Sequence, residues 1–214
     1  MRIGILGGTF DPVHNGHLHI ARETARLLNL DQVLFMVSNY PPHKSPETVT
    51  DSFHRFAMVA ITLLNEDHML ACGKELLRTG PSYTIETLEE VAMSHPGARI
   101  CFVAGSDSLR EIHSWKDCDR LFSEFCLVFV QRPGSVINLQ DPNLTAGRRG
   151  RIQQVDGTCQ LEVMKGKSYL LDLGAPPFSS SMIRHALREG SQLPADALQS
   201  QVFNYIRKNH LYEE

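Results

Sequence analysis

Two histidines three residues apart, His14 and His17, stand in the segment Gly7-Gly8-Thr9-Phe10-Asp11-Pro12-Val13-His14-Asn15-Gly16-His17. At a helix entrance this spacing turns both imidazoles toward one spot, where each can donate a hydrogen bond to a phosphate oxygen. Gly7 and Gly8 carry no Cβ, which lets a phosphate approach the backbone closely. A helix starting near Gly16 adds free N–H groups and the positive end of its dipole. Together these features favour a bound anion and suit stabilisation of charge at phosphorus. Three other readings compete. The run Gly4-Ile5-Leu6-Gly7-Gly8 lacks the Gly-x-Gly-x-x-Gly spacing, and no acidic residue ends the second strand at Val37-Ser38, which disfavours a redox dinucleotide. A His-x-x-His pair can bind zinc, but no Glu follows His14 and no cysteine is nearby, so no protein-held metal is expected. Two cap histidines without a ligand are the plainest alternative, and the surrounding glycines weigh against it.

These residues need a scaffold, and the chain supplies the pattern of one. Its 214 residues are 42% hydrophobic and 21% charged, a globular composition with enough chain for one sizeable core. Short apolar runs at 3–6, 32–37, 69–72, 99–104, 125–130 and 168–173 alternate with amphipathic segments at 17–28, 51–64 and from Ser82 or Thr84 to 95. That alternation predicts an α/β protein with a doubly wound parallel sheet. In the segment 51–64 the apolar stripe is read as Phe53, Phe56, Val59, Ala60 and Leu63. The prolines Pro41, Pro42 and Pro46 make 38–50 a loop, and 131–167 reads mostly as loop. A helix capped by Ser179 to Ser181 runs through Arg188, and another spans 194–209. No linker divides the chain, so residues 1–214 are expected to form one domain, with 179–214 as a C-terminal helical part. A net charge of −3 provides no general field for nucleic acid, and no run approaches the roughly 20 apolar residues of a membrane span. A soluble cytoplasmic protein is expected, free of nucleic acid and membrane, with reduced thiols at Cys72, Cys101, Cys118, Cys126 and Cys159. Whether it forms a homo-oligomer is left open.

The segment Gly8 to His17 resembles the signature of the nucleotidyltransferases that share a His-x-Gly-His-type motif, filled here by His14-Asn15-Gly16-His17. Ser179-Ser180-Ser181-Met182-Ile183-Arg184 resembles their second motif, with Phe178 and Ser181 departing from its usual Ile and Thr. Further blocks, Pro41-Pro42-His43-Lys44, Pro81-Ser82-Tyr83-Thr84 with Thr87-Leu88, and Gly105-Ser106-Asp107-Ser108-Leu109 with Trp115, resemble the bacterial nicotinate mononucleotide adenylyltransferases. They occur in order over nearly the whole chain, although 143–167 carries none. The resemblance implies a Rossmann-like core and transfer of AMP from ATP to nicotinate mononucleotide, giving nicotinate adenine dinucleotide and pyrophosphate, with Mg²⁺ accompanying ATP. The family's step is an in-line displacement without a covalent intermediate, which agrees with phosphoryl-type transfer needing chiefly positioning and charge stabilisation.

The same resemblance distributes roles. His14, His17 and Arg184 are the catalytic candidates. Gly7, Gly8, Thr9, Phe10, Gly105, Asp107, Ser179 and Arg184 are expected along the ATP side, Asp107 through ribose hydroxyls and Ser179 with Arg184 at the leaving pyrophosphate. Their plain alternatives are an N-cap at Asp107, and a Ser cap with a surface Arg. Trp115, the one tryptophan, is expected to stack on the pyridine ring, or else to fill core. Backbone N–H groups around Tyr83 and Thr84 are expected to take the nicotinate carboxylate, which predicts preference for the acid over the amide. His43, Lys44 and Arg132 are loop candidates for substrate contact. Arg148, Arg149 and Arg151 read as a solvated turn. The competing functions are a related transferase such as pantetheine-phosphate adenylyltransferase, disfavoured by Trp115 and the Pro81 to Thr84 block, and a regulatory module that binds nucleotide without turnover.

Overall fold

A computed structural model describes residues 1–40, 48–132, 137, 139 and 144–213. His43 and Lys44 lie outside the described residues. The strands are β1 (Arg2–Gly8), β2 (Gln32–Val37), β3 (Met69–Cys72), β4 (Arg99–Gly105), β5 (Cys126–Val130), β6 (Ile152–Val155) and β7 (Ser168–Leu171). The helices are α1 (Asn15–Leu28), α2 (Ser52–Thr62), α3 (Thr84–Ser94), α4 (Asp107–Glu111), α5 (Cys118–Glu124), α6 (Ala146–Arg149), α7 (Ser180–Arg188) and α8 (Ser200–Lys208).

All seven strands join one sheet in the order β3-β2-β1-β4-β5-β7-β6, and every neighbouring pair is parallel. Parallel strands covered by helices on both faces must be apolar throughout, and Cys126 to Val130 are buried without exception. One face packs Leu6, Phe35, Val103 and Val128 against α1, α2 and α8; the other packs Ile5, Phe102, Leu127 and Phe129 against α3 and α5. From β1 the winding runs outward to β2 and β3, then returns to β4 on the other side. The β1–β4 boundary is therefore a topological switch point, and the crevice at its carboxyl end is where such sheets bind ligands.

Several sequence expectations shift. β1 runs to Gly8, so Gly7 and Gly8 pair with Met36 and Val37 in the sheet rather than lying beyond it. The buried face of α2 is Arg55, Met58, Val59 and Thr62, and Phe53 is 65% exposed. The region read as mostly loop contains α6 and the edge strand β6. There Arg148 pairs with Asp119 at 2.8 Å and Arg151 Nη1 donates to Phe122 O at 3.3 Å, so these arginines fasten the segment to α5 instead of forming a solvated turn. Neither Ser82 nor Thr84 caps α3; Tyr83 occupies the cap position and Thr84 begins the helix. The last helix begins at Ser200 rather than Pro194. Cys101, Cys118 and Cys126 are buried free thiols, and Cys159 is exposed. Among the described residues, no helix is long and apolar enough to cross a membrane.

Candidate functional site

The turn from β1 to α1 is shaped by aromatic packing. A Cβ on Gly7 would lie 2.7 Å from the Phe102 ring, and one on Gly8 would lie 2.9 Å from the Phe10 ring. The absent side chains thus make room for the protein's own rings. Phe10 adopts φ +52°, unusual for a residue with a Cβ, and its buried ring meets His17 edge-on at 5.0 Å. The loop then carries a cis Asp11–Pro12 bond into His14, the N-cap of α1.

His14 and His17 do converge. Their rings stack with centroids 3.7 Å apart and 28° between planes. Gly16 permits this, because a Cβ there would come within 2.9 Å of His14 Nδ1. The His14 N–H donates to His17 Nδ1 at 3.2 Å, so a neutral His17 carries its proton on Nε2. His14 is only 7% exposed. Burial, reinforced by the charge of Arg132, pushes its pKa down to about 4. His14 is therefore neutral near pH 7, and its buried Nδ1 has no hydrogen-bond partner among the described residues. With His14 neutral, the stacked pair at the N-terminus of a 14-residue helix can present N–H donors to an anion without the mutual repulsion of two charged rings. They border a cavity of about 150 Å³, whose walls include Arg132, Pro176 and Ser179.

Neighbouring elements bring the other candidates to this end of the sheet. Ser179 is the N-cap of α7 and accepts from Met182 N–H at 3.1 Å. Arg184, one turn further, donates from Nη1 to the Asp11 main-chain oxygen at 2.6 Å. Its guanidinium is thus anchored on the signature loop. Asp107 is the first residue of α4 rather than its cap, which is Ser106, and its carboxylate pairs with Arg132 at 3.4 Å. Gly105 ends β4, and a Cβ there would clash with Asp107 and lie 3.1 Å from Arg132 Nε. Arg132 therefore connects Asp107 to the histidine cavity.

Trp115 is half-buried, edge-on to Phe102 at 5.9 Å, and Phe102 is the ring that covers Gly7. The indole thus packs against the hydrophobic cluster on the Phe102 face of the sheet, and its buried Nε1 has no partner among the described residues. Tyr83 packs on the same face of the sheet, under Lys116 Nζ at 4.8 Å. Its side chain makes no cap bond, and the first N–H groups of α3 have no acceptor within the helix.

Several residues that hold the site together escaped the sequence reading. Arg55 is 1% exposed and donates to Thr9 O, Ser38 O, Thr50 O and Asn39 O at 2.7 to 3.2 Å. It ties the loop after β1 to the loop after β2. Asp11, quoted within the signature without a role, accepts from Tyr212 Oη at 2.7 Å. Ser180 Oγ also donates to Pro12 O at 2.9 Å, and Asn15 Nδ2 to Asp196 O at 2.7 Å. The C-terminal part wraps the loop, and no local pattern in the sequence pointed to these contacts.

Residues 5–186 match the cytidylyltransferase-like family. A Clostridium tetani protein named "Probable nicotinate-nucleotide adenylyltransferase" is 36% identical over 97% of both chains. A Shewanella putrefaciens protein of the same name is 37% identical over 99% of both. Among solved structures, Plasmodium falciparum nicotinic acid mononucleotide adenylyltransferase complexed with APC superposes with TM-score 0.74 at 21% identity, covering 99% of this chain and 97% of that one. The same enzyme complexed with NaAD gives TM-score 0.73 at 22% identity. These structural likenesses establish a shared fold.

Proposed function

The chain belongs to the cytidylyltransferase-like family and, within it, to the nicotinate-nucleotide adenylyltransferases, and we propose that it performs their reaction at the His14–His17 cavity. The reaction transfers AMP from ATP to nicotinate mononucleotide, yielding nicotinate adenine dinucleotide and pyrophosphate in NAD biosynthesis. The observation that carries the assignment of the site is the stacked histidine pair at the N-terminus of α1, on the switch point between β1 and β4.

A phosphate oxygen of the mononucleotide attacks the α-phosphorus of ATP while the bond from that phosphorus to the bridging oxygen breaks. Charge gathers on the non-bridging and leaving oxygens. His14 and His17 donate to the former through N–H groups already fixed by the stack, so little reorganisation accompanies reaction. A guanidinium has five N–H donors, and Arg184, held to Asp11 O by one of them, meets the leaving pyrophosphate together with the Ser179 hydroxyl. Gly7 to Phe10 line the nucleotide through their backbone. Gly105 and Asp107 take the ATP ribose side, the carboxylate exchanging its contact with Arg132 for a hydroxyl. Trp115 stacks on the pyridine ring, and N–H groups at Tyr83 and Thr84 take the nicotinate carboxylate. No protein nucleophile is needed.

Mg²⁺ retains most of its water and binds through substrate phosphates with few protein ligands. The ion would arrive on ATP's own oxygens and would neutralise phosphate charge there. In this reading the whole chain acts as one domain, since residues 179–214 supply Arg184 to the loop. A cytoplasmic location is part of the reading, supported by the free thiols. The test is pyrophosphate release from Mg²⁺-ATP with nicotinate mononucleotide, nicotinamide mononucleotide and phosphopantetheine as parallel acceptors. Fast release with the first is expected. Comparable rates with both pyridine mononucleotides would remove the Tyr83–Thr84 selectivity argument, and no release with any acceptor would remove the reaction.

A further inference from the structure

Beyond α8 the chain turns back and inserts Tyr212 beneath the signature loop. Tyr212 is 8% exposed, and its hydroxyl donates to Asp11 Oδ1 at 2.7 Å across 201 positions of sequence. Asp11 is itself buried, and each of its polar ends is engaged. Oδ2 accepts from Thr50 N–H at 3.4 Å. The main-chain oxygen accepts from Arg184 Nη1 at 2.6 Å, and the same guanidinium nitrogen lies 3.9 Å from Oδ2. Burial and the adjacent carboxylate hold the Tyr212 phenol well above its ordinary pKa, so it remains a donor. Tyr212 is not in the cavity wall formed by His14, His17 and Arg132. Its hydroxyl also meets the Thr50 side chain, but its contact with the signature loop is Asp11, which lies three residues before His14 and carries the oxygen on which Arg184 rests.

We propose that Tyr212 is a positioning residue for adenylyl transfer: its hydroxyl fixes the Asp11 carboxylate, and Asp11 fixes both the Arg184 guanidinium and the loop leading to His14. The inference rests on the adenylyl-transfer reading above. A tyrosine that merely glued the tail down would change stability and leave the turnover of folded molecules intact. A positioning residue lowers kcat, since a catalytic group displaced by about an ångström loses on the order of 10- to 100-fold in rate. Tyr205 provides the control, because its hydroxyl also ties the C-terminal part down, to His54 Nδ1 at 2.9 Å, but on α2.

The experiment compares kcat and KM for dinucleotide formation in the full chain and in Tyr212→Phe, Tyr205→Phe, Asp11→Asn and the Tyr212→Phe/Asp11→Asn double variant, each confirmed folded by circular dichroism. Tyr212→Phe should lower kcat about 10-fold with both KM values within about twofold. Tyr205→Phe should keep kcat. The double variant should fall no more than about twofold below Asp11→Asn alone, as expected of residues acting through one contact. The proposal is overturned if Tyr212→Phe keeps the parent kcat, or if its loss multiplies in full with that of Asp11→Asn. Should Tyr212→Phe not fold, Asp11→Asn carries the test, and an unchanged kcat there overturns the proposal equally. If the unchanged chain makes no dinucleotide, the adenylyl-transfer reading falls and this inference with it; if it does and Tyr212→Phe matches it, only this inference falls.

Discussion

Replacing Gly16 by alanine places a methyl group 2.9 Å from His14 Nδ1 and 3.0 Å from Cε1. Ordinary heavy-atom contacts lie at about 3.5 Å or beyond, so the imidazole must withdraw by about 0.6 Å. It cannot do so freely, because it is stacked on His17 at 3.7 Å and nearly closed to solvent. Overpacking of this kind costs about 1–3 kcal/mol, while alanine gains up to about 1 kcal/mol over glycine as a helix former. Net stability should therefore fall by about 0–3 kcal/mol. Activity should fall further. Misplacing a charge-stabilising donor by part of an ångström predicts roughly a 10- to 100-fold loss in kcat. Pyrophosphate release at saturating substrates, paired with thermal unfolding, reads both effects. A Gly16→Ala chain with kcat within about twofold of the parent would refute the idea that the stacked geometry is what makes His14 effective.

Two further outcomes follow from the buried groups around the same loop. Since the folded protein holds His14 neutral down to about pH 4, the unfolded chain, with an ordinary value near 6.5, binds the proton first as pH falls. The contribution to stability is present above pH 6.5 and declines toward pH 4, by about 2 kcal/mol between pH 7 and pH 5. Urea unfolding at the two pH values should show that decline reduced in His14→Asn, and an identical decline in both chains would contradict it. Arg55→Met keeps much of the side-chain volume but leaves four carbonyl oxygens without their donor. It should destabilise by about 3 kcal/mol or more, and a loss below about 1 kcal/mol in denaturant unfolding would show that the hub is dispensable.

What sequence could disclose here depended on the range of the interactions. The β1–α1 turn was legible because glycines, histidines and a helix start lie within eleven consecutive residues, and the sheet because its buried strands are nearly unbroken apolar runs. α2 was rotated in the reading, since Arg55 looks like a solvent residue until the carbonyls it serves are brought around it by β1 and β2. β6 escaped because an edge strand with Gln153 and Gln154 exposed shows no two-residue alternation. The reason for Gly7 and Gly8 lay in Phe102 and Phe10, and Phe102 is nearly a hundred residues away. The partnership of Tyr212 with Asp11 joins opposite ends of the described chain, and no local pattern encodes it.

The central claim is that the histidine pair of the β1–α1 turn performs adenylyl transfer. It is tested most directly by following radiolabel from α-³²P-ATP into dinucleotide, with nicotinate mononucleotide as acceptor, for the unchanged chain and His17→Ala side by side. Loss of a positioned charge-stabilising donor costs about 10²–10³ in rate. The account predicts labelled dinucleotide from the unchanged chain and a loss in kcat of that size in a folded His17→Ala. Near-equal turnover by the two proteins would contradict it.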